Sequence, residues 1–188
     1  MRPRLPDALL ALAFLALPST ALAQRYASGI YAEMELGATG FIGSASEYVA
    51  PGPTFGIRGG YDLFSWLSVG GIASASTHEA TVPPPPDEEF FQIYLIGADG
   101  RLSARLGKLA VFGEGALGFA AVSTNVLDKV DVTEPDNRVG TVFLVGGGLD
   151  YHMANRHFSL GMAVDWTLFA EFAAAQSLSG RIYLRYTL

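Results

Sequence analysis

The chain has 188 residues, no cysteine and a formal net charge of −6 at pH 7. That is the length of one domain. The missing cysteines exclude a disulfide framework, a thiolate metal site and a cysteine nucleophile. The acidic balance, without a basic stripe, excludes an ordinary nucleic-acid binder.

Arg2 and Arg4 precede an apolar run from Ala8 to Leu17, followed by Pro18, Ser19, Thr20 and then Ala21-Leu22-Ala23. A positive start, a short apolar core and an A-x-A site predict a secretory signal peptide over 1–23, cut after Ala23. The run is shorter than the ~20 apolar residues a membrane span needs. Residues 24–188 are then the mature domain, beginning at Gln24. Half of all residues are hydrophobic. Yet past Leu22 no stretch reads as a membrane helix: the best candidate, Leu109 to Val122, is broken by Gly113, Glu114, Gly115 and Gly118.

Eight segments alternate between apolar and polar or small residues, the period of a strand. The first, Ile30 to Ala38, puts Ile30, Ala32, Met34 and Leu36 on one face and Tyr31, Glu33 and Glu35 on the other. The second, Thr54 to Asp62, sets Phe55, Ile57 and Tyr61 against Arg58 and Asp62. The third, Trp66 to Ala75, sets Leu67, Val69 and Ala73 against Ser68 and Ser74. The fourth, Phe90 to Leu102, is ambiguous: Phe91, Ile93 and Leu95 suggest one outward face, but Asp99 and Arg101 share it. A bulge near Gly97, or the opposite register, would resolve the conflict. The fifth, Val111 to Ala121, sets Leu117 and Phe119 against Glu114. The sixth, Val139 to Tyr151, sets Phe143, Val145, Leu149 and Tyr151 against Asp150. The seventh, Phe158 to Leu168, sets Phe158, Leu160, Met162, Val164, Trp166 and Leu168 against Asp165. In the last, Ile182, Leu184, Tyr186 and Leu188 oppose Arg181, Tyr183, Arg185 and Thr187.

Most segments have the ~9–11 residues that cross a bilayer at a tilt. The links alternate: short at Leu63 to Ser65, Ser103 to Ala110 and His152 to His157; longer at Thr39 to Pro53, Ser76 to Glu89, Val122 to Arg138 and Phe169 to Ser177. Strands can enter lipid only as a closed barrel, because hydrocarbon cannot satisfy an open backbone edge. The expected fold is therefore all-β, an eight-stranded antiparallel up-and-down transmembrane barrel. Short turns on one side and longer loops on the other put both termini on the short-turn, periplasmic side. Aromatics near strand ends fit interfacial belts: Tyr61, Phe64, Trp66, Tyr151, Phe158 and Tyr186 on the periplasmic edge, and Phe41, Phe55, Phe90, Phe91, Phe119, Trp166 and Phe169 on the outer edge. A secreted soluble sandwich is the competing fold. Its solvated face should be rich in Lys, Thr and Glu, whereas here the face opposite the apolar one holds Gly, Ser, Ala and a few charges.

Gly146-Gly147-Gly148-Leu149-Asp150-Tyr151, the turn Ala154-Asn155-Arg156-His157, Phe158-Ser159-Leu160 and the run Val111 to Gly118 resemble small eight-stranded outer-membrane proteins. That group includes OmpX, OmpW and the membrane domain of OmpA. Gly180 and Tyr186 fit its closing-strand pattern, while Leu188 stands where Phe is usual. The resemblance implies a fold and a bacterial outer-membrane location, not a reaction. The expected partners are outer-membrane lipid and lipopolysaccharide, the barrel assembly machinery during biogenesis and an unknown surface or envelope protein. The chain ends at its eighth strand, so no peptidoglycan-binding domain is expected.

The function expected is a non-catalytic barrel that stabilises the envelope or displays binding loops, with no metal or cofactor. The alternative is a barrel enzyme that modifies lipid A. His157-Phe158-Ser159 resembles the His-x-Ser of the deacylase type, but lies at the periplasmic turn and lacks the Asn-Ala continuation. His78, Ser76 and Asp87, the residue types of the palmitoyltransferase kind, fall in one outer loop without distinctive spacing. Pro83 to Pro86, followed by Asp87, Glu88 and Glu89, reads as a stiff spacer. Asp128, Asp131, Glu134 and Asp136 read as a solvated acidic loop, because their spacing is not that of a calcium loop. A wide pore is not expected, since eight strands leave a bore just wide enough for side chains.

Closing the barrel pairs the last strand with the first. Leu188 then falls near Gly29 or Ile30, Arg185 near Glu33, and Arg181 within reach of Glu35, with Arg58 at a similar height. One lumenal cluster of Glu33, Glu35, Arg58, Arg181 and Arg185 is expected, with Glu114, Asp150 and Asp165 as further inward charges.

Overall fold

The computed structural model describes residues 28–80, 90–123, 138–155, 157–172 and 175–188. Eight strands run in sequence: β1 (Ile30–Ile42), β2 (Gly52–Phe64), β3 (Leu67–Glu79), β4 (Phe90–Leu106), β5 (Leu109–Val122), β6 (Val139–His152), β7 (Phe158–Phe169) and β8 (Ala175–Thr187). Each pairs antiparallel with the next, and β8 returns to β1, so the sheet is a closed barrel. The signal segment, the proline run with Asp87, Glu88 and Glu89, and the acidic group Asp128, Asp131, Glu134 and Asp136 lie outside the described residues.

The two-residue period decides what each wall presents. Met34, Ile57, Ile96, Leu117, Val145, Met162, Val164 and Ile182 all point outward and are about half or more exposed. Glu33, Arg58, Asp99, Arg101, Glu114, Asp165 and Arg181 point inward and are buried. Water would favour the reverse arrangement. A hydrocarbon solvent favours this one, and closure leaves the sheet no unpaired edge in it.

β4 settles the ambiguity of the fourth segment. It pairs residue for residue with β3 and with β5 without a shift, so there is no bulge at Gly97. It takes the opposite register: Tyr94, Ile96 and Leu102 face out, and Ile93, Asp99 and Arg101 are buried inside. Two ionised side chains in lipid would cost more than turning Phe91, Ile93 and Leu95 inward, where an apolar layer receives them.

The strands also run past their expected ends. Ser103 to Leu106 and Leu109 to Ala110 are strand, and the β4–β5 connection shrinks to Gly107 and Lys108. Gly107 has φ 69°, a left-handed conformation that a two-residue hairpin needs and glycine adopts without strain. At the other end, Ser76 to Glu79 belong to β3 and Thr39 to Ile42 to β1, rather than to loops. Inward hydroxyls hold these extensions together: Thr39 Oγ1 lies 2.7 Å from both Thr54 Oγ1 and Ser179 Oγ.

Of the expected belt aromatics, Tyr61, Trp66 and Tyr151 stand exposed at the terminus-bearing end, with Trp66 stacked on Phe64. Phe158 and Tyr186 pack at 4.8 Å on the same edge. Near the other rim, Trp166 donates its indole N–H to Gln176 at 3.1 Å. Phe41, Phe91 and Phe169 depart from expectation. They face into the bore and pack on or within the apolar layer there. Because every strand is satisfied by two neighbours, unfolding in detergent should be slow. Unboiled and boiled samples should migrate differently on a denaturing gel; identical migration would count against the closed barrel.

Candidate functional site

The site is the bore itself. Inward positions of β1, β2, β4, β5, β6, β7 and β8 bring seven carboxylates (Glu33, Glu35, Asp62, Asp99, Glu114, Asp150 and Asp165) against four guanidiniums (Arg58, Arg101, Arg181 and Arg185), all buried. The register places Glu33 opposite Arg58 on β2 and Arg185 on β8. The Leu188 amide donates to the Ile30 carbonyl at 2.9 Å, which fixes the seam.

Glu33 is the common partner. Its carboxylate lies 3.2 Å from Arg101, 3.4 Å from Arg181, 3.7 Å from Arg185 and 3.9 Å from Arg58. Glu35 accepts from Arg58 at 3.1 Å and forms an ion pair with Arg181 at 3.0 Å. Glu114 meets Arg58 at 3.2 Å, Arg101 at 3.1 Å and also Arg181. Arg181 reaches Asp165 at 2.7 Å, and Arg58 reaches Asp99 at 3.5 Å. The expected five thus lie in one group. Arg185, however, takes Asp62 as its nearest carboxylate and touches Glu33 more loosely. Asp62, Asp99 and Arg101 join the cluster in addition to the five expected residues. The signal was present: Asp99 and Arg101 cannot face lipid, and Asp62 shares the parity of Arg58.

Aromatic rings and glycines shape this network. The Arg185 guanidinium lies 3.7 Å from the centre of the Tyr31 ring, and that of Arg101 lies 4.2 Å from the Phe112 ring. The Tyr183 hydroxyl donates to Asp150 at 2.5 Å. Gly161 and Gly146 are small for a reason of space: a Cβ at the first would overlap the Tyr183 ring, and at the second the Asp165 carboxylate.

Toward the loop-bearing end the bore changes character. Ile93, Ala120, Val142 and Phe169 form a buried apolar layer, flanked by Phe41, Phe91 and Leu95. His78 is buried beside it, with Phe41 and Phe91 rings at 5.3 and 5.7 Å. Its Nδ1 donates to the Ala50 carbonyl at 3.1 Å, since a carbonyl can only accept, and Nε2 lies 2.9 Å from Ser76 Oγ. Asp87, the third member of that outer-loop trio, is outside the described residues. His157 and Ser159 do not form a pair. His157 is exposed at the β6–β7 turn with Nδ1 2.8 Å from the Thr187 carbonyl, and Ser159 is buried inside. Among the described residues, no group of three His, Asp or Glu side chains is arranged to hold a metal ion.

A closed antiparallel barrel of eight strands, apolar outside and salt-bridged inside, defines a transmembrane β-barrel of outer-membrane type. The chain belongs to the outer membrane protein beta-barrel domain family, whose model matches residues 8–181. Its place is accordingly the bacterial outer membrane. Among solved structures it is similar to Neisserial surface protein A, at 16% identity and a TM-score of 0.63, over 86% of this chain and 98% of that one. It is also similar to the outer membrane protein OprG from Pseudomonas aeruginosa, at 12% identity and a TM-score of 0.57, over 86% and 96%. At such identities the likeness speaks for the fold alone. No curated protein sequence matches the chain significantly.

Proposed function

We propose that this protein is a non-catalytic barrel that stabilises the outer membrane and presents its longer loops to a surface or envelope partner. In this reading the termini and short turns face the periplasm, lipopolysaccharide surrounds the loop-bearing rim, and the barrel assembly machinery inserts the chain. The observation that carries the reading is the double closure of the bore. Eleven buried ionisable side chains fill its middle, and an apolar layer caps them. A body closed in this way offers a rigid wall and a platform for loops rather than a passage.

The alternative, an enzyme acting on lipid A, draws on one feature, the 2.9 Å contact between Ser76 and His78. A serine whose hydroxyl meets an imidazole is the core of a nucleophilic dyad. Here both side chains point inward, rings pack against the imidazole, and the cavity that Ser76 borders holds about 50 Å³. An acyl chain needs far more room. Lipid A from cells with and without the protein should give the same mass spectrum. Loss or gain of one acyl chain that depends on Ser76 would overturn the non-catalytic reading and install the alternative.

A further inference from the structure

At the loop-bearing end, β6 outlasts its neighbour β7. The ladder between them begins at Val142 and Phe169, and just beyond it the Ala170 amide donates to the Thr141 carbonyl at 3.0 Å. In a strand the N–H and C=O of one residue point to the same side. The Thr141 N–H therefore also faces the β7 side, where the chain has already turned away. Glu171 stands in for the missing ladder partner. One oxygen of its carboxylate accepts the Thr141 N–H at 2.5 Å, and the other accepts the Thr141 hydroxyl at 2.9 Å.

The next residue links this clasp to the bore. Phe172 packs against the apolar layer, with its ring 6.2 Å from that of Phe169. The Ala175 amide donates to the Phe172 carbonyl at 2.9 Å. Gly140 makes room for both side chains: a Cβ there would lie 3.1 Å from the Glu171 carboxylate and 3.3 Å from the Phe172 ring. An exposed polar hook and a half-buried ring are thus neighbours in the chain and share one seat on β6.

An ionised carboxylate accepts through both oxygens, whereas a protonated one carries a donor on one of them. The hydroxyl and amide of Thr141 hold the Glu171 carboxyl below the ordinary carboxylate range. A group depressed in this way stabilises the folded form fully above the ordinary glutamate value of about 4.3. That contribution is lost as the pH falls through its own lower value. Among the described residues, the other charged or titratable groups toward this rim are four. They are Glu47 in the helical turn Gly43–Glu47, Glu79 at the end of β3, Arg138 just before β6, and His78, buried against Phe41 and Phe91.

We propose that Glu171 and Thr141 form an acid-released latch that seats Phe172 on the apolar cap of the bore. Ionised, Glu171 holds the ring down. Protonated, it releases the ring and uncovers the Phe169 edge of the layer. The latch works in the same way whichever side of the membrane the loops face.

Nuclear magnetic resonance of the full mature chain in uncharged micelles tests it. Lowering the pH should move the Thr141 amide signal in one step, with a midpoint below that of a free glutamate, and the ring contact between Phe172 and Phe169 should vanish with it. At pH 7, Glu171→Gln should speed hydrogen exchange of the Thr141 amide roughly tenfold, the worth of one hydrogen bond, and abolish the acid step. Thr141→Val keeps the amide but loses the hydroxyl, so its midpoint should move up toward that of free glutamate. The heat-dependent gel shift should persist in both variants, which separates release of the latch from unfolding of the barrel. An acid step that survives Glu171→Gln would assign the titration to another group, Glu47 or Glu79, and overturn the proposal. So would a Phe172–Phe169 contact that persists through the step, or a Thr141 exchange rate unchanged by Glu171→Gln.

Discussion

Replacing Arg181 by alanine should lower the unfolding free energy in lipid vesicles by about 3–5 kcal/mol, the usual loss when one partner is taken from a buried ion pair. Arg181 touches Glu33, Glu35, Glu114 and Asp165 from the last strand, so it ties β8 to β1, β5 and β7 across the bore. Without it, seven buried carboxylates face three guanidiniums. Glu114→Ala should be similarly severe, since three arginines converge on that carboxylate. The double variant removes a cation and an anion together. It should cost less than the sum of the single losses, by ~0.5–3 kcal/mol. Strictly additive losses would mean that these charges point singly into trapped water. The same cycle on Glu33 and Arg185 should also fall short of additivity, but by less. Arg185 divides its contacts among Glu33, Asp62 and the Tyr31 ring.

Val145→Arg should destabilise the protein in a bilayer by ~2–4 kcal/mol, the cost of a cation near the midplane on a lipid-facing strand. Val145 lies halfway along β6, is 59% exposed and belongs to the outward set with Phe143 and Leu149. Val145→Ile should be close to neutral. A half-exposed valine on a water-soluble protein would accept arginine within about half a kcal/mol, so a neutral Val145→Arg would argue that this face does not meet lipid. Vesicle unfolding by urea, followed by tryptophan fluorescence, reads both variants.

Parity carried most of the fold. Wherever a charge sat on one face and large apolar groups on the other, as at Glu33 and Glu35 against Met34 and Leu36, one direction was possible and the barrel uses it. Parity failed where both faces were partly apolar. Phe91, Ile93 and Leu95 look lipid-facing in isolation, and only the tertiary fact of an apolar layer inside the loop end lets them turn inward. Phe41 and Phe169 mislead for the same reason. Strand ends were less legible than strand centres. Ser76 and His78 read as loop residues, yet the hydroxyl and imidazole contacts inside the barrel carry β3 on to Glu79. The seam was legible because antiparallel closure leaves little freedom once Leu188 is set beside Ile30. The full network was not. Which carboxylate an arginine chooses depends on the reach of its side chain across the bore, and Arg101 meets Glu33 from a strand far from it in the sheet.

The ion-pair network and the apolar layer fill the middle of the bore. Single-molecule conductance of the purified protein in planar bilayers tests it most directly. The buried network and the apolar layer predict no steady channel, only negligible or small and unsteady current. A stable, large conductance from the pure protein would contradict a bore closed by these side chains.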